Sequence, residues 1–173
     1  LRTLAKPVLG LMKTALLALL IALATPCLAA NSECPIDQHE HLKHLRLIAR
    51  HHTGSTINPS KLTAAWSSQE FSKVRVEIGG CEHFGLHAVG TVKSKHNVSE
   101  QEVFALANKL ARAVLAQQEA ASIAKSLDNG EYTKTSNEGA EHFSLELQGF
   151  QEFGFSVNHR AGFVEISLSG TGE

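Results

Sequence analysis

The chain contains 10 histidines in 173 residues, and histidine is the residue type most suited to chemistry in this sequence. Neutral imidazole is a common metal ligand. His41 and His44 are three residues apart in a segment of helical periodicity, so their side chains share one helix face and can share one ion. They are the predicted metal ligands, and a third ligand must come from elsewhere. The residues considered for that third position are Glu40, His52, His142 and His159.

The other histidine spacings do not favour a metal site. His44 and His51 share a helix face but are two turns apart, about 10 Å at the usual rise. His83 and His87 share a strand face at about 13 Å. The alternative is that the histidines are solvated, or half-buried beside an apolar stripe, and bind no metal.

Two glycine-containing turns are the candidate binding elements. Residues 76–86 and 145–155 are alike at an offset of 69 residues, with matching glutamate, glycine and phenylalanine positions. We interpret them as two helix–hairpin units, although any two amphipathic hairpins with glycine turns share such a pattern. Polar groups in loops held by a sheet often bind partners. The candidate binding residues are Glu82, His83, Gln151 and Glu152.

Motifs of the common enzyme classes are absent from the sequence. It has no His-Glu-x-x-His, no Gly-x-Ser-x-Gly and no glycine-rich phosphate loop. Glu77 and Glu146 match between the hairpins, but their alternation with apolar residues places both on the solvent face and not across a cleft. The sequence therefore predicts no catalytic residue and no cofactor, and an enzyme with a dispersed site is the alternative.

Residues 1–29 have the order of a secretory signal peptide. Lys13 precedes an apolar run over residues 15–24, and small residues follow Pro26. Ten apolar residues are too few to span the roughly 30 Å hydrocarbon layer. We therefore expect cleavage after Ala29, no stable membrane insertion afterwards, and a periplasmic or secreted product. Residues 1–11 are expected to precede the true start at Met12; a lipoprotein signal and a permanent anchor are the alternatives.

The expected product, residues 30–173, has the size of one domain. It contains 13 Lys and Arg against 17 Asp and Glu, which gives a net charge of −4. A mildly acidic surface disfavours nucleic acid as a partner and is compatible with a basic protein partner.

Two cysteines remain after the leader, Cys34 and Cys81. In an oxidising compartment such a pair most often forms a disulfide. Closing a loop of about 47 residues would stabilise the fold by roughly 3–4 kcal/mol. Two unpaired thiols are the alternative.

Hydrophobic periodicity predicts an α+β domain with two layers, an antiparallel sheet packed on one long helix. Ser99 and Glu102 form a capping box at the start of that helix, which is predicted to run to about Leu127. Its predicted buried stripe is Val103, Leu106, Ala107, Leu110, Val114, Ala121 and Ala124. The other predicted elements are helices over residues 35–52 and 60–66, a loop over 53–60, and strands over 74–78, 84–92, 143–147, 153–157 and 164–168.

Three functions are compatible with these features. An exported, non-catalytic protein that binds another protein, of the inhibitor or immunity type, fits the small size, leader and acidic balance. An envelope metal-binding protein using the histidine-rich first helix is the second. An enzyme with a dispersed site is the third.

Overall fold

Alternating apolar residues form eight strands that join into one antiparallel sheet. The computed structural model describes residues 37–80, 84–94, 98–137 and 139–172. The sheet order is β1-β2-β3-β4-β8-β7-β6-β5, so two four-stranded halves meet where β4 pairs with β8. The strands are β1 Thr56–Asn58, β2 Thr63–Trp66, β3 Lys73–Gly79, β4 Gly85–Lys93, β5 Thr133–Asn137, β6 Ala140–Leu145, β7 Phe150–Arg160 and β8 Phe163–Gly172.

Three helices accompany the sheet: α1 Gln38–Ala49, α2 Glu100–Val114 and α3 Gln117–Asn129. Helix α1 packs on β1, β2 and β3, and α2 packs on β4 and β8. The predicted α+β class with an antiparallel sheet is confirmed. Within the described residues, no helix is both long and apolar enough to cross a bilayer.

The core lies between the helices and the buried face of the sheet, where every second strand residue points inward. Its largest fully buried side chains are Phe143, Leu45, Ile78, Leu110, Ile123, Ile166, Leu168, Val74, Val76, Val103, Val157 and Val164. The opposite face of the sheet carries short hydroxyl side chains where β7 and β8 pair, among them Ser156, Ser167 and Ser169.

The single long helix predicted after Ser99 is wrong, because the structure divides it into α2 and α3. The predicted capping box at Ser99 and Glu102 does form. Leu115 and Ala116 then adopt extended backbone angles, and the carboxylate of Glu119 accepts a hydrogen bond from the Ala116 amide at 3.0 Å. Glu119 thereby starts a second helix.

The interruption changes which residues of the second helix are buried. Val103, Ala107, Leu110 and Val114 are buried in α2 as predicted. In α3 the buried apolar residues are Ala120, Ile123 and Leu127, whereas Ala121 is exposed. A continuous 3.6-residue period cannot cross two extended residues, so the predicted stripe is out of phase beyond them.

The helix predicted over residues 60–66 is also wrong. A 3₁₀ turn, Pro59–Lys61, ends at Leu62, which has a left-handed φ of 48°. The chain continues as β2, where Ala64 and Trp66 alternate into the core. The predicted loop over residues 53–60 contains the edge strand β1.

The helix–hairpin repeat is not confirmed by the strand register. Ile78 pairs with Leu86, so an offset of 69 would pair Leu147 with Phe155. Phe155 pairs instead with Phe143, a shift of four residues. The two hairpins also occupy different places, since β3 and β4 are the last strands of one half and β6 and β7 are the middle strands of the other.

Candidate functional site

Gln151 and Glu152 are exposed and lie inside β7, not in the turn predicted to carry them. Phe150 pairs with Gly172 and Glu152 pairs with Thr171, so Gln151 is the extra residue of a β-bulge. A bulge re-aims the side chains beside it. Both residues line one groove. The other predicted binding residues, Glu82 and His83, lie outside the described residues, as do Cys34 and Cys81.

This hydroxyl groove crosses β6, β7 and β8 on the solvent side of the sheet and has a volume of about 630 Å³. Short side chains form its floor, because register places them beside one another: Ser144 pairs with Gly154, and Gly154 with Ser169. The residues that define the groove are His142, Ser144, Gln151, Glu152, Gly154, Ser156, Ser169 and Thr171.

Gly154 sets the depth of the hydroxyl groove. A Cβ at this position would lie 2.6 Å from the carbonyl oxygen of Phe143, closer than real contacts allow. Any other residue would therefore push β6 and β7 apart. The glycine leaves a gap in the side-chain surface between Ser144 and Ser169.

The chemistry available in the hydroxyl groove is hydrogen bonding around one carboxylate. Its serines and threonine each offer a donor and acceptors, Gln151 offers an amide, and Glu152 offers a charge. Within the described part of the chain, no hydrogen bond joins these hydroxyls to His142 or Glu152. The arrangement suits recognition of a polar surface.

The predicted metal ligands His41 and His44 both contact one aromatic ring, that of Phe84. Their imidazole centroids are 5.7 Å and 5.1 Å from that of Phe84. His41 is buried and donates from Nε2 to the Gly80 carbonyl at 3.1 Å, whereas His44 is exposed. The Nδ1 atom of His41 is buried and has no hydrogen-bond partner among the described residues.

The metal prediction at His41 and His44 therefore stays a prediction. Across residues 37–80, 84–94, 98–137 and 139–172, no three His, Cys, Asp or Glu side chains come together as an ion would require. His52, considered as a third ligand, donates from Nε2 to the Ala113 carbonyl at 2.8 Å.

A second concave site, which the sequence did not predict, lies between α1 and the α2–α3 junction. This apolar cleft has a volume of about 560 Å³ and opens beside the ends of β4, β7 and β8. Its large apolar residues are Leu47, Ile48, Phe84, Leu86, Val114, Leu115 and Phe150, and its polar ones are His44, His51, His52, Arg112 and Glu119.

The one sequence signal for this cleft is Leu47. It falls outside the apolar stripe of α1 formed by Leu42, Leu45 and Ile48, and its side chain is 40% exposed. No other large apolar side chain in the described part of the chain is as exposed. A lone apolar residue on a polar helix face is common, so Leu47 by itself does not indicate a cleft without the structure.

A charged cluster ties the start of α2 to the β5 edge. Lys134 bridges Glu100 at 2.6 Å and Glu141 at 2.9 Å, and the Tyr132 hydroxyl donates to Glu100 at 3.2 Å. The hydrogen bond from Lys134 lowers the pKa of Glu100, and this effect outweighs desolvation, which by itself would raise the pKa. Hydrogen bonds to Glu100 and Glu141 raise the pKa of Lys134. Desolvation, together with the hydrogen bond to Glu100, raises the pKa of Tyr132. Each group here is already partnered, which fits a structural role.

Comparison with known proteins finds no match among protein families, curated proteins or solved structures. The function must therefore be argued from these sites alone.

Proposed function

We propose that this protein is an exported, non-catalytic binding protein of the inhibitor or immunity type that holds another protein in the hydroxyl groove. The observation that carries the proposal is the bulge in β7. It places Gln151 and Glu152 together at a groove with a floor of short hydroxyl side chains.

The groove suits a polar protein surface because its floor is rigid and rich in hydrogen-bonding groups. Ser144, Ser156 and Ser169 project from three adjacent paired strands, so little ordering entropy is lost when a partner docks. Glu152 supplies one negative charge. A lysine or arginine of the partner would complement it, in keeping with the net charge of −4 over residues 30–173.

Export is proposed from the sequence of the leader. The order of Lys13, the apolar run over residues 15–24 and the small residues before Ala30 supports cleavage near Ala29 and release into the periplasm or medium. Mass spectrometry of the protein from the periplasmic fraction tests this. A product that begins at Ala30 supports the proposal, and an uncleaved chain in the membrane fraction contradicts it.

The binding proposal is tested by affinity capture from envelope extract, with the full chain carrying a C-terminal tag. One protein retained at a molar ratio near one supports it. Glu152→Lys should then weaken capture at least tenfold. The matched control is Asp128→Lys, which makes the same charge change on exposed α3 surface. Equal capture by wild type and Glu152→Lys would remove the groove from the proposal.

The second proposal, an envelope metal-binding protein, rests on His41 and His44. The free lone pair of His41 is on Nδ1, which is buried, so an ion would have to displace packing to reach it. Zinc and copper analysis of the purified protein tests this alternative. If the wild-type protein contains bound metal and the His41→Ala, His44→Ala double variant does not, the metal-binding proposal would be favoured over the protein-binding one.

A further inference from the structure

The apolar cleft has the size and composition of a small-molecule site. Its volume of about 560 Å³ falls in the usual range for ligand pockets, which are mostly apolar with a few polar groups. Leu47 stands at its mouth with 40% of its surface exposed. The extended residue Leu115, between α2 and α3, adds its side chain to the lining.

The polar groups of the cleft include one guanidinium, that of Arg112, which has no side-chain partner among the described residues. Arg112 takes part in no ion pair or side-chain hydrogen bond of the described residues. Glu119, the acidic residue in the lining, already accepts from the Ala116 amide. His44 touches Phe84 and has no polar partner in the same part of the chain.

The remaining histidines of the cleft use their ring nitrogens within the fold. His52 donates to the Ala113 carbonyl, and His51 accepts from the Arg50 side chain at 3.2 Å. Arg112 is therefore the charged group left for a ligand. A guanidinium matches a carboxylate with two parallel hydrogen bonds, which an ammonium or alcohol cannot accept.

We propose that the apolar cleft binds an amphipathic carboxylate, an acyl chain ending in a carboxyl group. The chain lies along Leu47, Phe84, Leu115 and Phe150, and Arg112 holds the carboxylate. Burial of each further methylene group is expected to tighten binding about fourfold, so chain length sets affinity and Arg112 sets the choice of head group.

Three ten-carbon probes test this proposal by calorimetry on the full chain: decanoate and decylammonium below their micelle concentrations, and decan-1-ol below its solubility limit. Decanoate is expected to bind most tightly. Trp66 should report the same event by fluorescence, because it is the single tryptophan and stacks on His52 of the lining.

Two variants separate the head-group contact from the chain contact. Arg112→Gln should weaken decanoate about tenfold and leave decan-1-ol unchanged. Leu47→Asp changes an exposed side chain, so it should keep the fold and weaken both probes. The control is Arg46→Gln, which removes an exposed charge of α1 outside the cleft lining and should change neither.

Three outcomes would overturn the proposal: no decanoate binding, decylammonium binding as tight as decanoate, or equal loss of decanoate and decan-1-ol affinity in Arg112→Gln. Loss of protein capture in Leu47→Asp without any decanoate binding would instead make the cleft part of a protein interface. The hydroxyl groove is tested by a different variant, Glu152→Lys in the capture experiment, so the two proposals can fail independently.

Discussion

His52 stacks on Trp66 with ring centroids 4.0 Å apart and planes within 6° of parallel. The same imidazole donates to the carbonyl of Ala113, near the end of α2. One side chain therefore connects the loop after α1 with β2 and with the last turn of α2, three parts of the chain that are distant in sequence. The contact also borders the apolar cleft.

Replacement of His52 by alanine should destabilise the fold by about 2 kcal/mol, from the lost stacking and the lost hydrogen bond. Urea denaturation followed by circular dichroism measures this. His51→Ala is the matched control, because His51 is exposed and its side chain hydrogen-bonds only to Arg50 among the described residues. Its effect should stay within about 0.5 kcal/mol. Equal losses in the two variants would show that the stack contributes little.

Glu100 should contribute stability that depends on pH. Because its pKa is lowered in the fold, its contribution is present above the ordinary glutamate pKa of about 4.3 and is lost as pH falls through the lowered value. Glu100→Gln should therefore lower the urea midpoint at pH 7, and the difference from wild type should shrink below pH 4. A difference that stays constant with pH would contradict the Lys134 pair as its cause.

Gly154→Ala should destabilise the protein by about 1–3 kcal/mol, since the new methyl group meets the Phe143 carbonyl oxygen at 2.6 Å. It should also weaken partner capture, because the floor of the hydroxyl groove would shift. Gly79→Ala in β3 is the control, as a Cβ there meets nothing within 4 Å. Thermal unfolding measures the stability of both variants. If Gly154→Ala is as stable as wild type, β6 and β7 can separate at little cost in free energy.

The Cys34–Cys81 disulfide stays a prediction, because both cysteines lie outside the described residues. Peptide mapping without reductant should find the linked pair. Cys81→Ser should then lower stability by roughly 3–4 kcal/mol, whereas wild type treated with reductant should lose the same amount. Two free thiols in the exported protein would contradict the disulfide.

The sequence predicted elements well where the signal is local. Alternation of Val74, Val76 and Ile78 between polar residues predicted β3, because a half-buried strand has a period of two. Ser99 and Glu102 predicted the start of α2, because both partners of a capping box lie within four residues. The same kind of signal was missed at Glu119, since alanine occupies the position where a capping serine would be recognised.

The candidate sites were predicted only in part. The sequence predicts Gln151 and Glu152 as binding residues in a turn, whereas the structure places them beside a groove whose floor includes residues of β6 and β8. His41 and His44 were chosen for helical spacing, and the structure places Phe84 against both rings. The apolar cleft was missed because its lining comes from α1, α2, α3 and three strands, and no local pattern joins them.

What the sequence determined by itself was the class and buried face of elements such as β3 and α2, since periodicity and caps act over a few residues. The tertiary structure alone decided the phase of α3 after Leu115, the conversion of residues 63–66 into β2, and the bulge at Gln151. Each depends on which strand or helix lies alongside, and such contacts join residues far apart in the chain, as the hydrogen bond between Gly172 and Phe84 does. The hydroxyl groove and the apolar cleft exist only through those contacts.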